Sequence, residues 1–552
     1  MGSRTGQEPE GGFDYDWVVI GSGFGGSVAA LRLAERGYRV CVLEAGRRYP
    51  TSELPASTWN VRRYFWMPRL GIRGILRVSA FRDVSIISGA GVGGGSLVYA
   101  QTLYRAGEAF REHLDAAVGE HVDLDRYYAV AERMLGVVDT PIASPRDAMA
   151  RAAATDLGLP PDRFHATRIG VFRGEAGVTV PDPYFGGEGP ERTGCTDCGR
   201  CMVGCRVGAK NTLDKKYLWL AERRGVRIEP DREVTDLAPL GATDGSDGYV
   251  ITARRPGSTV RRGTRVLRAR GVVVAAGAVG TARLLAACRH RGSLPALSER
   301  LGQDVRTNAE SICAITARDP KADLSKGVAI SGSLQATDGM HLEPVGYGGA
   351  ADSMGLLFVP LSGDGSRLTR PLGLLKEMLR HPVDLLRSAN PRGWSRRSML
   401  IGGMWTQDGA LRFVARRRLL GRGVRLTTRP DPDHPNPTFL PEIYAFVRRL
   451  AEKYDAIPQI WATEPFNVPF TAHILGGAVI GTSPDTGVID SRHRAFGYHN
   501  LLVTDGAAVP YNPGTNPSLT ITALAERAMA AVPAKDGSHQ EGGIGHETPA
   551  AP

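Results

Sequence analysis

The sequence contains no apolar run long enough to cross a bilayer. Its longest, Gly271 to Ala282, falls well short of the ~20 residues that a spanning helix requires. The polar, glycine-bearing start from Met1 to Gly12 has no apolar core of the secretory-signal kind. We therefore expect a soluble, cytoplasmic chain, with a peripheral membrane contact left open. Cysteine is scarce: seven in 552 residues, four of them between Cys195 and Cys205. That bunching excludes the spread disulfide framework of small secreted domains. Sequence repeats are lacking, which excludes a solenoid. The net charge of +11 comes largely from arginines scattered along the chain. This fits a solvated basic surface and gives no reason to expect nucleic acid as a partner.

What is present suits a large enzyme-like chain. At 42% hydrophobic and 23% charged residues, 552 residues support two or three domain-sized units. Trp17 to Ile20 reads as a buried strand, followed by a glycine-rich turn and a helix from about Ser27 to Arg36. Gly37 ends that helix and Val40 to Leu43 is the next strand, completing a βαβ unit. A second strand-turn-helix runs from Gly271 through Gly277 into a helix carrying Leu284 and Leu285. A third leads from Leu501–Gly506 to a helix over 519–530.

Gly21-Ser22-Gly23-Phe24-Gly25-Gly26 fits the G-x-G-x-x-G pattern between a strand and a helix. The first glycine permits the tight turn, the second lets backbone reach a pyrophosphate, and the third lets helix and strand pack closely. The helix N-terminus then faces the phosphates. Glu44 ends the second strand 18 residues after Gly26, where a ribose hydroxyl partner belongs. A second glycine element holds Gly91, Gly93, Gly94, Gly95 and Ser96. It can lie against a large ring system or phosphate, which favours FAD over NAD as the dinucleotide.

These residues, with Gly277 to Leu285, Ala472 to Gly477, Thr504 to Gly506 and Asn516 to Ala523, resemble the glucose-methanol-choline (GMC) oxidoreductase family, and within it the cholesterol oxidase group. The resemblance runs from about residue 14 to 531. It implies an α/β fold: a Rossmann-like FAD-binding domain assembled from discontinuous segments, plus an α+β, sheet-based substrate-binding domain. We assign 13–115, 191–315 and 471–534 to the first and 116–190 and 316–470 to the second. The segments 1–12 and 535–552 read as disordered ends. The family implies flavin-based oxidation of an alcohol, with Gly277, Asp505 and Gly506 near the cofactor.

Such oxidation needs a base for the hydroxyl proton and a polar group that holds the oxygen. His473 suits either role, since its ordinary pKa lies near working pH. Asn516 offers an amide that can orient a hydroxyl or touch the flavin edge. By resemblance, His473 positions the hydroxyl, Asn516 interacts with the flavin, and Glu343 aligns with the group's carboxylate base. In those relatives the base also moves a ring double bond. Tyr99 is a departure, because many relatives carry Asn after the glycine loop. A bulky, sterol-like or polycyclic alcohol is the implied substrate, and molecular oxygen or a protein is the implied electron acceptor. A non-sterol alcohol, or a pure electron-transfer protein, are the alternatives.

Cys195, Cys198, Cys201 and Cys205 follow the spacing of a bacterial ferredoxin run without its proline. A [4Fe–4S] cluster is the first reading, zinc the runner-up, and metal-free cysteines the third. In two-cluster ferredoxins the fourth cysteine serves the other cluster, so a single cluster here needs a different wrap. Residues 366–397 carry eight Lys/Arg against Glu377 and Asp384, interleaved with leucines. Such a segment either lies on an anionic membrane or packs its apolar face inward as a lid.

Overall fold

The computed structural model describes residues 12–141, 144–258, 263–417 and 424–536. The tails read as disordered lie outside the described residues except Gly12, Lys535 and Asp536. Lys535 is anchored, its Nζ 3.1 Å from Asp16 Oδ2.

From Trp17 onward the strand Tyr15–Ile20 is apolar on both faces because it is covered on both sides, as a central parallel strand must be. It lies between Val40–Leu43 and Arg265–Val274, both parallel to it, with Val18 opposite Cys41 and Val272. Arg227–Glu229 extends the sheet beyond Val40–Leu43, and Leu501–Val503 pairs in parallel with Val272–Val274. The three strand-turn-helix pieces, distant in sequence, thus share one sheet. An antiparallel annex of Tyr249–Arg254 and Glu233–Pro239 continues from the outer half of the long strand. The first helix starts at Phe24, three residues earlier than the sequence reading, because Gly23 already serves as its N-cap. It packs against the helix Ser518–Ala530.

A second sheet is antiparallel throughout. Its order is Phe358–Pro360, Ala456–Trp461, Ser311–Ala317, Ser398–Trp405, Met340–Val345, Gly332–Thr337 and Phe164–Ala166. The strand from Ser311 begins before residue 316, so that expected boundary cuts through a strand. Side chains alternate across the sheet. Met340 and Leu342 join a core beneath the helices Pro145–Asp156 and Pro441–Lys453. His341, Glu343 and Val345 point to the opposite face, where Val345 packs with Leu97 and Ile87 from beside the glycine loop.

The basic segment forms two helices, Thr369–Arg380 and Pro382–Ala389, broken at Pro382, and a single turn Trp394–Arg397. Leu374, Met378 and Leu385 are half-buried and Trp394 is buried, but six apolar residues of the segment do not pack inward as a lid would require. Leu368, Leu372, Leu379 and Leu386 are 82%, 65%, 74% and 73% exposed, and Leu375 and Val383 are exposed too.

Candidate active site

The two glycine elements meet face to face. A Cβ on Gly94 would stand 2.6 Å from Gly23 Cα. The buried Glu44 carboxylate ties them together, accepting from Ser22 N (3.0 Å), Ser22 Oγ (2.7 Å), Gly46 N (2.7 Å) and Gly91 N (3.4 Å). Ser22 Oγ in turn accepts from Gly93 N at 3.1 Å. Ser96 Oγ donates to Gly93 O and accepts from Leu213 N, tying the loop to the segment after the cysteines. Gly21 has φ +101°, and a Cβ there would lie 2.2 Å from Ala275 O, so no other residue fits this turn. Gly23 differs: its Cβ would meet nothing within 4 Å. That open face at a helix N-terminus fits a pyrophosphate.

The third piece closes the cradle. Asp505 accepts from Gly277 N (2.7 Å), Thr281 Oγ1 (2.5 Å) and Ala507 N (2.9 Å), joining the second and third strand-turn-helix units just ahead of Gly506. Burial pushes its carboxyl up to about 6, opposed by these hydrogen bonds.

Five polar side chains gather between this cradle and the inner face of the second sheet. The strand Phe470–Thr471 pairs in parallel with Ser85–Gly89, whose end begins the glycine loop, and so delivers His473 beside it. His473 Nδ1 lies 3.3 Å from Glu310 Oε2. The contact is not aligned as a hydrogen bond, and Nδ1 has no other partner. Glu310 is held by Thr471 Oγ1 (2.8 Å) and Ala472 N (2.7 Å). Desolvation raises its pKa, against the opposing pull of His473. From the sheet, Glu343 Oε2 accepts from Asn516 Nδ2 at 3.3 Å, and His341 Nε2 lies 3.3 Å from Glu343 Oε1. The His341 ring meets Tyr104 edge-on at 5.0 Å. Asn516 Oδ1 is buried with no hydrogen-bond partner. Its loop is pinned by Asn308, which donates to Thr515 O (2.9 Å) and accepts from Gly514 N (2.9 Å).

Of the residues named from sequence, the fold pairs Asn516 with Glu343 and sets His473 against Glu310, whose carboxylate feels the charge of Glu343. The sequence reading missed Glu310, which follows Asn308-Ala309 with no local pattern. It also missed His341, although the alternation Met340-His341-Leu342-Glu343 puts both polar residues on one strand face. Tyr99 lies at the cradle wall, its hydroxyl donating to Asn211 O (2.9 Å) and its ring edge-on to Phe24 at 5.6 Å.

All four clustered cysteines, including the fourth, line a single pocket with Val171, Val328 and Lys210. Among the described residues, no three His, Cys, Asp or Glu side chains are gathered as one metal ion would need. The zinc alternative therefore finds no support, since a single zinc draws its thiolates to about 2.3 Å from one point.

A glycine-lined cradle open at Gly23, with a buried carboxylate between its two glycine elements and two unpartnered polar atoms at His473 and Asn516, suits a dinucleotide-dependent oxidoreductase. The comparisons with known proteins agree. Residues 16–312 match the family model described as FAD dependent oxidoreductase, and 424–525 match GMC oxidoreductase. A cholesterol oxidase of Mycobacterium tuberculosis is 45% identical over 95% of this chain and 92% of its own. One from Acinetobacter baumannii is 41% identical over 95% of both. The chain belongs to the GMC oxidoreductases, and FAD is its cofactor. Among solved structures, pyridoxine 4-oxidase from Mesorbium loti superposes with a TM-score of 0.59 at 16% identity, over 93% of this chain and 98% of that one. That likeness concerns the fold alone. Among the described residues, no helix is long and apolar enough to cross a membrane.

Proposed function

We propose that the protein oxidises a hydroxyl of a bulky, sterol-like alcohol. The observation that carries this reading is the pairing of Asn516 with Glu343 and of His473 with Glu310, whose carboxylate feels the charge of Glu343, together with cholesterol oxidases at 41–45% identity over nearly the whole chain. FAD bound in the cradle would supply the hydride acceptor. In this reading Ser22, Gly23 and the helix from Phe24 hold the pyrophosphate, Glu44 the ribose, and Gly91 to Ser96 with Gly277, Asp505 and Gly506 the rest of the cofactor. Asn516 meets the alcohol hydroxyl or the flavin edge through its free Oδ1, which accepts an O–H or N–H there. His473, steadied by Glu310, keeps the hydroxyl in place, and Glu343 takes up its proton. Glu343 is buried and held by Asn516, and a positioned carboxylate serves as a general base.

The two basic helices support a water-insoluble substrate. Six exposed apolar side chains on a face flanked by Lys376, Arg380 and Arg387 match an anionic lipid surface. In this reading the enzyme draws its alcohol from a bilayer.

The test is anaerobic mixing of the FAD-loaded enzyme with cholesterol in micelles, and with a panel of short and polycyclic alcohols. Rapid bleaching of the flavin by the sterol, and slow or no bleaching by short alcohols, is expected. Equal or faster bleaching by a small polar alcohol would overturn the sterol reading.

A further inference from the structure

Resting on the flavin-dependent reading above, we infer that Cys195, Cys198, Cys201 and Cys205 hold a [4Fe–4S] cluster through which electrons leave the reduced flavin for a one-electron carrier.

The spacing alone left the fourth ligand unsettled, because in two-cluster ferredoxins it belongs elsewhere. The fold settles where it goes. Cys205 lines the same pocket as the other three, with largely apolar walls including Val171, Val207 and Val328. Among the described residues no three His, Cys, Asp or Glu side chains are placed to hold one ion, yet all four thiols line this pocket. That combination disfavours a single ion. It suits a cuboidal cluster, in which each thiolate binds its own iron.

The pocket also contains a buried cation. Lys210 is 1% exposed, and its ammonium donates to Cys201 O (2.7 Å), Leu97 O (2.9 Å) and Tyr99 O (3.3 Å), all backbone carbonyls. The carboxylate that acts on it, Asp214, is itself paired with Lys215 at 3.2 Å, and burying a cation is costly. Four thiolates around a cluster carry net negative charge and would add a counter-charge. The backbone N–H of Lys210 donates to Cys205 Sγ at 3.5 Å, the kind of hydrogen bond that tunes iron–sulfur centres.

The position supplies the function. Lys210 links the cysteines to Leu97 and Tyr99, the residues directly after the second glycine element. Its Nζ lies 5.1 Å from the Tyr99 ring centroid, and Tyr99 meets Phe24 of the first glycine turn. The cysteine pocket therefore backs onto the wall of the flavin cradle. Cys198, by contrast, is exposed and marks the side facing solvent. One oxidised alcohol gives two electrons and two protons. One proton goes to the base and the hydride to the flavin. The flavin returns to its oxidised form by passing two single electrons through the cluster, reducing two equivalents of a one-electron carrier and releasing its proton to water.

The test uses the full chain purified without oxygen. We expect ~4 iron and ~4 acid-labile sulfide per chain, and a reduced-cluster electron paramagnetic resonance signal on adding the alcohol that bleaches the flavin. Cys198→Ser, at an exposed position, should lose most of the iron at an unchanged FAD-to-protein ratio. Folded, FAD-replete wild type containing no iron, or only zinc, would overturn the inference. So would a cluster that dithionite reduces while alcohol bleaches the flavin and leaves the cluster oxidised. If no alcohol bleaches the flavin, the proposed function has failed separately. The iron and sulfide counts then still decide the cluster, and dithionite-reduced enzyme mixed with ferricenium tests the outlet.

Discussion

Asn516 Nδ2 stands 3.3 Å from Glu343 Oε2, joining a loop of the cofactor sheet to the middle of a strand in the other sheet. The bond crosses the seam between the two layers, where ligands of such folds bind. It fixes the carboxylate while leaving Asn516 Oδ1 free. Glu343→Gln keeps the shape and removes the base. We expect FAD to remain bound and alcohol-driven flavin reduction to slow by roughly 10²-fold or more. Stopped-flow absorbance measures this. Reduction at the wild-type rate would remove Glu343 from the proton transfer.

His473→Ala should slow the same step by a similar factor, about 10²-fold. Glu310 acts through His473 rather than on the substrate, so Glu310→Gln should lower kcat with KM little changed, and Glu310→Asp should recover part of the loss. Steady-state kinetics separates the two constants. A change in KM alone would mean that Glu310 is structural only.

Gly23 and Gly21 separate cofactor contact from folding. A methyl at Gly23 meets no protein atom, whereas one at Gly21 strikes Ala275 O. Gly23→Ala should fold normally yet purify with little FAD. Gly21→Ala should yield little folded protein. Full FAD occupancy in Gly23→Ala would place the pyrophosphate elsewhere.

The exposed leucines predict a lipid contact. Replacing Leu372, Leu379 and Leu386 together by Ser should abolish co-sedimentation with phosphatidylglycerol vesicles. The rate of flavin bleaching by detergent-solubilised alcohol should hold. Undiminished vesicle binding would assign the contact to another surface.

His493 predicts acid sensitivity. It is fully buried, its Nδ1 2.8 Å from Val503 O, and desolvation lowers its pKa to about 4 from 6.5. A depressed native pKa stabilises the fold above pH 6.5. The contribution is lost as pH falls from 6.5 to 4, because the unfolded chain takes up the proton first. The shift corresponds to about 3 kcal/mol at most. Denaturant titrations should show wild type losing stability relative to His493→Asn across that window. Parallel pH dependence in the two proteins would contradict it.

The cofactor side was readable from sequence because its requirements are local. Gly21 to Gly26 must turn between a strand and a helix, and the apolar runs at Trp17–Ile20 and Val272–Val274 can only be buried strands. Glu44 was singled out by spacing alone, and the structure places it between the two glycine elements. The substrate side was harder. Glu310 carries no signal in its neighbours, since its role depends on a histidine 163 residues later in the chain. The exposed face of Thr369–Arg380 was undecided, because an amphipathic pattern states that one face is apolar but not what covers it.

By itself the sequence determined the glycine turns, the order of strands and helices around them, and the four closely spaced thiols, all dictated by φ/ψ limits, side-chain period and short spacing. Only the tertiary structure decided that Glu343 meets Asn516, that Glu310 stands behind His473, and that Cys205 shares a pocket with the other three beside a buried Lys210. Those relations join segments far apart in the chain. They exist because two sheets pack against each other, and no local pattern carries the register of that packing.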